Sequence, residues 1–266
     1  MNYEQLIFDR ISEQKSNLKL QFNTLSNQTS TRFFYIDNLL PKVVCKKIYE
    51  SFPEKDKLNL RNTFREKKYT LQKLSIIENK IIEKVTDAFQ SKRIVNLISD
   101  ICSIKYLEAD PSLYAGGISR MDKGHFLNPH IDNSHNKDKT KYRRLNLLYY
   151  VTPNLTHKSG GNFELWDKNI KNPLEIESKF NRLIVMETTK TSWHSVSPVK
   201  TNIKRCCLSN YFFTTNCPDK IDYYHVTSFL GRPNQKIRRI YGYLDNYLRQ
   251  KFVQITGVSR GTKLIR

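Results

Sequence analysis

The sequence predicts a mainly β fold with flanking helices (α+β), in which an antiparallel sandwich or barrel follows an N-terminal helical region. Before Pro111, apolar residues recur at the helical spacings of three and four. After it, short runs rich in Leu, Ile, Val, Tyr and Phe are broken by turns of Gly, Asn, Pro and Lys, a pattern typical of antiparallel strands. Helical spacing returns over residues 235–255.

The N-terminal part of the chain contains three predicted helices, over residues 43–52, 71–89 and 93–104. Pro41 precedes the first of them, where proline is compatible with a helix start. The charged segment 54–68 has no clear apolar period and is interpreted as a loop or a frayed helix.

The β region and the C-terminal helix follow. The predicted strands are 113–121, 144–152, 162–166, 182–187 and 206–214. We expect the C-terminal helix to pack its apolar face on the barrel and to leave its charges in solvent; contact with a partner, a membrane surface or an acidic substrate is the alternative. That apolar face consists of Ile237, Ile240, Leu244, Leu248, Phe252 and Ile255.

Length and composition fit one domain over 1–266, with a helical lead-in (1–110), a β core (111–214) and a basic helical extension (215–266). The 266 residues carry a formal charge of +20, and residues 200–266 supply +10 of it. This charge indicates either an anionic partner such as nucleic acid or a lysine-rich composition with solvated side chains. No apolar run is long enough for a membrane span, and five cysteines without a CxxC pair favour a reducing, cytoplasmic location.

The segment NPHIDN contains the first candidate site. His130 and Asp132 are two residues apart, so on a strand both project to the same face and can bind one metal ion. A third ligand is available at His194 in TSWHSVSPV. Two histidines and one carboxylate form the facial triad that holds ferrous iron and leaves positions open, whereas structural zinc requires four protein ligands.

A cation follows the third candidate ligand. Lys204 and Arg205 begin the predicted strand in KRCCLSNYFF, ten and eleven residues after His194. Arginine is the better carboxylate partner because its planar guanidinium pairs bidentately and stays charged when buried. Two solvated charges at a strand end are the alternative reading.

These motifs occur in an order that resembles the Fe(II)- and 2-oxoglutarate-dependent dioxygenases, and among them the prolyl 4-hydroxylase-like group. The resemblance covers about residues 33–214. The similar segments are FFYIDNLLPKVVCKKIYESFP (33–53), HIDN (130–133), RRLNLLYYVTPN (143–154), SGGNFELWD (159–167), FNRLIVMETT (180–189), WHSVSPV (193–199) and RCCLSNYFF (205–213).

The resemblance implies a double-stranded β-helix, or jelly roll, that holds iron through His130, Asp132 and His194. It also implies that Arg205 binds the distal carboxylate of the cosubstrate 2-oxoglutarate and that Tyr150 donates a hydrogen bond to the same group. Lys204 stays a rival to Arg205 because the family's basic residue follows the histidine by nine or ten positions. If Tyr150 faces the cavity, strand alternation directs Tyr149 away from it. Dioxygen is the second cosubstrate, and ascorbate is an optional reductant.

The reaction implied is hydroxylation of an unactivated C–H bond, with a prolyl residue of a protein or peptide as the first expectation. A free amino acid, a glycan precursor or another small metabolite is the alternative. A nucleic-acid demethylase is disfavoured because Tyr211 stands where that subfamily has a second arginine. A jelly-roll binding module without catalysis is disfavoured by the intact ligand set. The oligomeric state is left open.

Overall fold

In a computed structural model, which describes residues 1–219 and 223–256, antiparallel strands form one curled sheet with helices packed against it. The helices of these residues are α1 (Tyr3–Glu13), α2 (Lys15–Asn23), α3 (Lys42–Glu50), α4 (Ile81–Gln90), α5 (Lys92–Cys102) and α6 (Lys236–Thr256). The strands are β1 (Phe33–Asp37), β2 (Asn59–Asn62), β3 (Glu66–Leu71), β4 (Glu108–Ala109), β5 (Gly117–Met121), β6 (Phe126–Ile131), β7 (Tyr142–Tyr150), β8 (Phe163–Trp166), β9 (Pro173–Ile176), β10 (Arg182–Glu187), β11 (His194–Val196), β12 (Arg205–Thr214) and β13 (Ser228–Phe229).

The strands are hydrogen-bonded in the order β1-β10-β7-β12-β5-β3-β6-β11-β8-β9, while β2, β4 and β13 pair with β3, β12 and β6. The sheet curls far enough that side chains of β8 and β9 pack against those of β7, β10 and β12. Phe163 and Ile176 meet Tyr150, Ile184 and Cys207 in this inner cluster. The predicted jelly-roll core with flanking helices is confirmed.

Strand alternation on β7 divides the interior of the protein into two layers. Leu145, Leu147 and Tyr149 face the helices, and the Tyr149 ring lies 5.8 Å from that of Phe89 on α4. The intervening side chains face the inside of the curled sheet. The helical layer therefore supports the sheet from outside and leaves its inner surface free to form a cavity.

Helix α5 illustrates how the sequence specifies this outer layer. The Ser91 hydroxyl accepts a hydrogen bond from the backbone N–H of Ile94 and caps the helix. Its buried side, which includes Val95, Ile98 and Ile101, follows the helical period. The helix ends at Cys102, and the next residue, Ser103, takes the left-handed conformation with φ of 54°.

The first hundred residues contribute more β structure than their pattern predicts. The segment 54–68, interpreted as a loop or a frayed helix, contains a 3₁₀ turn at Lys55–Lys57 and then supplies β2 and the start of β3. The helix predicted over 71–89 begins only at Ile81, after a short 3₁₀ turn. Strand β1 also lies inside the predicted lead-in and pairs with β10.

The prediction that the apolar face of the C-terminal helix packs on the barrel is wrong. Helix α6 contacts the body of the protein through its opposite face, where Gly242 and Asn246 lie against the backbone of Phe229. Its apolar side chains Ile237, Ile240, Leu244, Leu248, Phe252 and Ile255 are all exposed.

Membrane crossing by a helix is not supported in the described parts of the chain. None of the helices there is both long and apolar enough to traverse a bilayer.

Candidate metal centre and cosubstrate pocket

Two histidines meet across neighbouring strands. His130 on β6 and His194 on β11 are register partners, and their ring centroids lie 4.0 Å apart. Asp132 follows the end of β6, and one potential ligand atom from each of the three residues lies within 4.8 Å of the others. The structure therefore brings together the three side chains that the sequence singled out.

Backbone carbonyls orient both imidazoles. His130 Nδ1 lies 3.1 Å from the carbonyl oxygen of Asn128, and His194 Nδ1 lies 2.9 Å from that of Ser192. Because a carbonyl oxygen only accepts, each neutral ring carries its proton on Nδ1 and keeps a lone pair on Nε2. Both Nε2 atoms lie 3.7 Å from oxygens of the Asp132 carboxylate.

The electrostatics favour the protonation states that bind metal. Burial, together with the neighbouring His194, lowers the pKa of His130 to about 3, and burial also lowers the pKa of His194. Burial alone would raise the pKa of Asp132, but Arg143 and the two imidazoles lower it to about 2. At neutral pH the cluster is thus two neutral imidazoles and one carboxylate.

This donor set fits ferrous iron. Asp132 Oδ2 is buried and has no hydrogen-bond partner, so a buried anionic oxygen lies 3.7 Å from His194 Nε2 with no donor to satisfy it. No cysteine or further acid joins the cluster among the described residues, so the three ligands leave a side open for other molecules. That open side faces a cavity of about 790 Å3.

Arg143 was not predicted and lies behind the carboxylate. Its Nη1 is 3.4 Å from Asp132 Oδ2, and its guanidinium lies 4.2 Å from the centroid of the Tyr211 ring. Alternation from Tyr150 would direct Arg144 rather than Arg143 inward. The pairing of β7 with β12 shifts at this point, however, and the irregularity turns Arg143 towards the cavity.

Arg205 closes the other end of the cavity. It is buried, its Nε donates to the Gly161 carbonyl at 2.6 Å, and its Nη2 donates to the Ser178 hydroxyl at 3.2 Å. Its Nη1 contacts only the weak acceptor Sδ of Met121, at 3.5 Å. Within residues 1–219 and 223–256 it forms no ion pair, so this buried cation is suited to a carboxylate ligand.

Tyr150 lies beside Arg205, as alternation along β7 predicts. The guanidinium carbon is 4.9 Å from the Tyr150 ring centroid, and the Tyr150 hydroxyl is buried without a hydrogen-bond partner. Burial raises the pKa of Tyr150, so the hydroxyl keeps its proton and can donate. Tyr149 points away and donates to Asn181 Oδ1 at 2.7 Å.

Lys204 faces away from this pocket. Its ammonium lies 3.8 Å from a carboxylate oxygen of Glu54 and 5.0 Å from the ring centroid of Tyr49. Of the two basic residues at the start of β12, only Arg205 lines the cavity.

The C-terminal segment forms a wall that the sequence did not reveal. Strand β13 pairs with β6, so that Phe229 stands opposite His130 and lines the cavity. The Asn246 side chain on α6 holds Phe229 at both backbone groups, accepting from its N–H and donating to its carbonyl, each at 3.0 Å. A two-residue strand leaves no periodic signal, which is why the pattern did not predict this wall.

The fold and the cluster fit a metal-dependent oxygenase, and comparisons with known proteins agree. Residues 116–213 match the family model described as the 2OG-Fe(II) oxygenase superfamily. No curated protein matches the chain. Residues 116–213 are thus a 2OG-Fe(II) oxygenase domain with a prolyl 4-hydroxylase-like fold, and this domain supports dioxygenase chemistry that depends on Fe(II) and 2-oxoglutarate.

Three solved structures share this fold. A prolyl 4-hydroxylase from Phytophthora capsici is 15% identical, with a TM-score of 0.56 over 94% of this chain and 76% of that chain. A prolyl-4-hydroxylase from Pseudomonas putida is 14% identical, with a TM-score of 0.54 over 74% and 98%. A prolyl hydroxylase from Trichoplax adhaerens, in complex with a hypoxia inducible factor oxygen degradation domain peptide fragment, is 18% identical, with a TM-score of 0.52 over 76% and 91%.

Proposed function

We propose that this oxygenase hydroxylates an unactivated C–H bond of a prolyl residue in a protein or peptide. The main observation in support of this reaction is that His130, Asp132 and His194 converge at a cavity that Arg205 closes at its other end. The fold shared with prolyl hydroxylases, one of them in complex with a peptide fragment, supports the choice of substrate.

In this proposal His130, Asp132 and His194 hold ferrous iron through two Nε2 atoms and a carboxylate oxygen. Iron and 2-oxoglutarate, when bound, supply the oxidation of the C–H bond, in which dioxygen is consumed and the cosubstrate becomes succinate and carbon dioxide. The chain keeps its ligands oriented through the carbonyls of Asn128 and Ser192, so little reorganisation is needed when the metal binds.

Arg205 and Tyr150 bind the distal carboxylate of 2-oxoglutarate in the same proposal. Arg205 offers a buried guanidinium without an acidic partner, and Tyr150 offers a protonated hydroxyl without a hydrogen-bond partner. A carboxylate placed between them gains a charge-assisted pair and a further hydrogen bond in surroundings that screen charge weakly. Between Arg205 and the metal ligands, the cavity has an apolar wall that disfavours bulk water. This wall is formed by Leu148, Phe163 and Val196.

A small anionic metabolite is the second candidate substrate. Arg61, Lys68 and Arg249 line the cavity, whereas Glu66 is the only acid there besides Asp132 among the residues described. A positive wall raises the local concentration of carboxylates and phosphates, and this observation favours such a metabolite over a neutral one.

The ligand assignment is tested by His130→Ala and Asp132→Ala. Both variants should lose substrate-dependent succinate production and the weak visible absorption band that iron and 2-oxoglutarate give together without oxygen. His157→Ala is the matched control, because His157 is an exposed histidine that pairs with Glu175. Succinate production at the parent level in Asp132→Ala would reject the assignment.

The substrate class is tested by supplying prolyl peptides, free amino acids and sugar nucleotides to the reconstituted enzyme. A prolyl peptide should stimulate 2-oxoglutarate consumption and gain one oxygen atom by mass spectrometry. Stimulation by a small anion alone, with that molecule oxygenated, would replace the peptide with the second candidate.

We also propose that the protein functions in the cytoplasm. Cys45, Cys102, Cys206 and Cys207 are buried free thiols. Free thiols are the usual state in a reducing compartment, so this observation supports the location.

A further inference from the structure

Helix α6 presents a continuous apolar stripe to solvent. Its large apolar side chains are between 50% and 84% exposed. They are Ile237, Ile240, Tyr241, Tyr243, Leu244, Tyr247, Leu248, Phe252 and Ile255. Contiguous exposed apolar surface of this kind marks an interaction site in a folded protein, in contrast to apolar residues scattered singly.

The orientation of the stripe is fixed by specific contacts on the opposite side of the helix. A Cβ on Gly242 would lie 2.7 Å from the carbonyl oxygen of Phe229, so the helix approaches β13 more closely than any larger residue allows. Asn246 holds the Phe229 backbone at two points. Arg239 donates to the carbonyls of Asn169 and Ile170 at 2.8 and 2.9 Å. These contacts keep the apolar stripe directed outward.

The exposed side of α6 is also positively charged. Lys236, Arg238 and Lys251 are exposed. At 100° per residue, Lys236 and Lys251 project within the apolar stripe, and Arg238 projects beyond its edge. The single acidic residue of the helix, Asp245, is turned towards the body of the protein and forms an ion pair with Arg65. The stripe is therefore apolar and cationic, and the carboxylate at its edge is mostly buried and already paired.

This charge distribution distinguishes between the occupants that an apolar helix face can have. A second copy of the chain would place Lys236 and Lys251 against the same cations, and Asp245 at the edge of the face is already paired with Arg65. An anionic lipid surface complements them instead: apolar side chains enter the headgroup region, the long lysine and arginine side chains extend to lipid phosphates, and tyrosines suit the interface.

We propose that α6 docks the protein on an anionic membrane surface, lying in the plane of the interface. At a rise of 1.5 Å per residue the helix is about 31 Å long, long enough to spread these contacts along one line. The docking is peripheral, because α6 is too polar on its packed face to cross the bilayer.

The test is co-sedimentation of the full-length protein with phosphatidylcholine vesicles that either contain or lack phosphatidylserine. Binding should require phosphatidylserine and should weaken as salt is raised. Leu244→Gln/Leu248→Gln and Arg238→Glu/Lys251→Glu should each weaken it by about tenfold or more, since the first pair removes apolar contact and the second reverses charge.

The matched control is Leu20→Gln, which alters an equally exposed leucine on α2 and should bind like the parent. Because Leu244 and Leu248 are exposed, the double variant should keep the parent rate of succinate production, which shows that it is folded. Equal binding to both vesicle types, or unchanged binding by the Leu244→Gln/Leu248→Gln variant, would overturn the proposal. A dimer in analytical ultracentrifugation that this variant dissociates, without vesicle binding by the parent, would assign the face to a second copy instead.

Discussion

The phenyl ring of Phe229 lies parallel to the imidazole of His130, with ring centroids 5.0 Å apart and planes inclined by 14°. The imidazole of His194 also lies against His130, with ring centroids 4.0 Å apart, so two rings pack on the His130 ring. Together with the hydrogen bond from Nδ1 to the Asn128 carbonyl, this stacking leaves the ring little freedom to rotate. A residue from the C-terminal extension thus orients a proposed iron ligand that lies a hundred residues earlier in the chain.

We expect Phe229→Ala to weaken metal binding by about tenfold, the lower end of the effect of losing a group that orients a ligand. Titration of the apoprotein with Co(II), followed by its visible absorption, measures this affinity. Phe64→Ala is the control, since Phe64 is partly exposed and its ring contacts Tyr241 rather than a proposed ligand. Equal Co(II) affinities of the parent and Phe229→Ala would show that the hydrogen bond alone orients His130.

The proposed site was largely predictable from the sequence because its chemistry is carried by residue types at fixed spacings. His130 and Asp132 lie two apart at the end of one strand, and Arg205 begins another. The residue of the site that the sequence did not predict, Arg143, depends on a local irregularity in strand pairing. Arg143 enters the cavity because the pairing of β7 shifts beside it, and alternation assigns it to the wrong face.

Polar side chains inside the fold account for the missed strand β3. Glu66, Lys68 and Thr70 alternate along it and line the cavity, so the face of the strand that points inward is polar and leaves no apolar period in the sequence. The direction of α6 was missed for a related reason. Its pattern correctly predicts an amphipathic helix, but contacts of Gly242 and Asn246 decide which side is buried.

Arg205→Ala should raise the KM for 2-oxoglutarate by about thirtyfold, because a charge-assisted hydrogen bond stabilises a complex by about 2 kcal/mol. Lys204→Ala should leave this KM unchanged, since the Lys204 ammonium lies beside Glu54 outside the cavity. Initial rates of succinate formation at varied 2-oxoglutarate provide the measurement. The opposite ranking of the two variants would transfer the carboxylate-binding role to Lys204.

Gly161→Ala should both destabilise the protein and impair cosubstrate binding. Gly161 has a φ of 69°, and a Cβ there would lie 2.8 Å from Cδ of Arg205. Gly124→Ala is a closely matched control, because Gly124 has a φ of 80° but nothing within 4 Å of its added Cβ. Both variants should lose about 1 kcal/mol in the free energy of unfolding from backbone strain. Only Gly161→Ala should raise the KM for 2-oxoglutarate, and a similar increase in Gly124→Ala would argue against a specific contact with Arg205.

Asp37 should make the stability of the sheet edge depend on pH. Burial alone would raise the pKa of Asp37, but hydrogen bonds and charge from Arg182 and Lys179 outweigh burial and lower it. A lowered folded-state pKa means that the carboxylate stabilises the protein above the unfolded pKa of about 3.9, and that this contribution is lost as pH falls through the folded pKa. Arg182 donates to both Asp37 oxygens, at 2.6 and 2.9 Å, across the β1–β10 pair.

Asp37→Asn should therefore lower the free energy of unfolding at pH 7 by about 1 kcal/mol, and this difference from the parent should shrink in acid. Urea unfolding at a series of pH values measures the difference. Asp56→Asn, at an exposed position in the 3₁₀ turn before β2, should match the parent at every pH. A difference that instead widened as pH fell would mean that Asp37 is protonated more readily in the folded protein than in the unfolded chain, contrary to its pairing with Arg182.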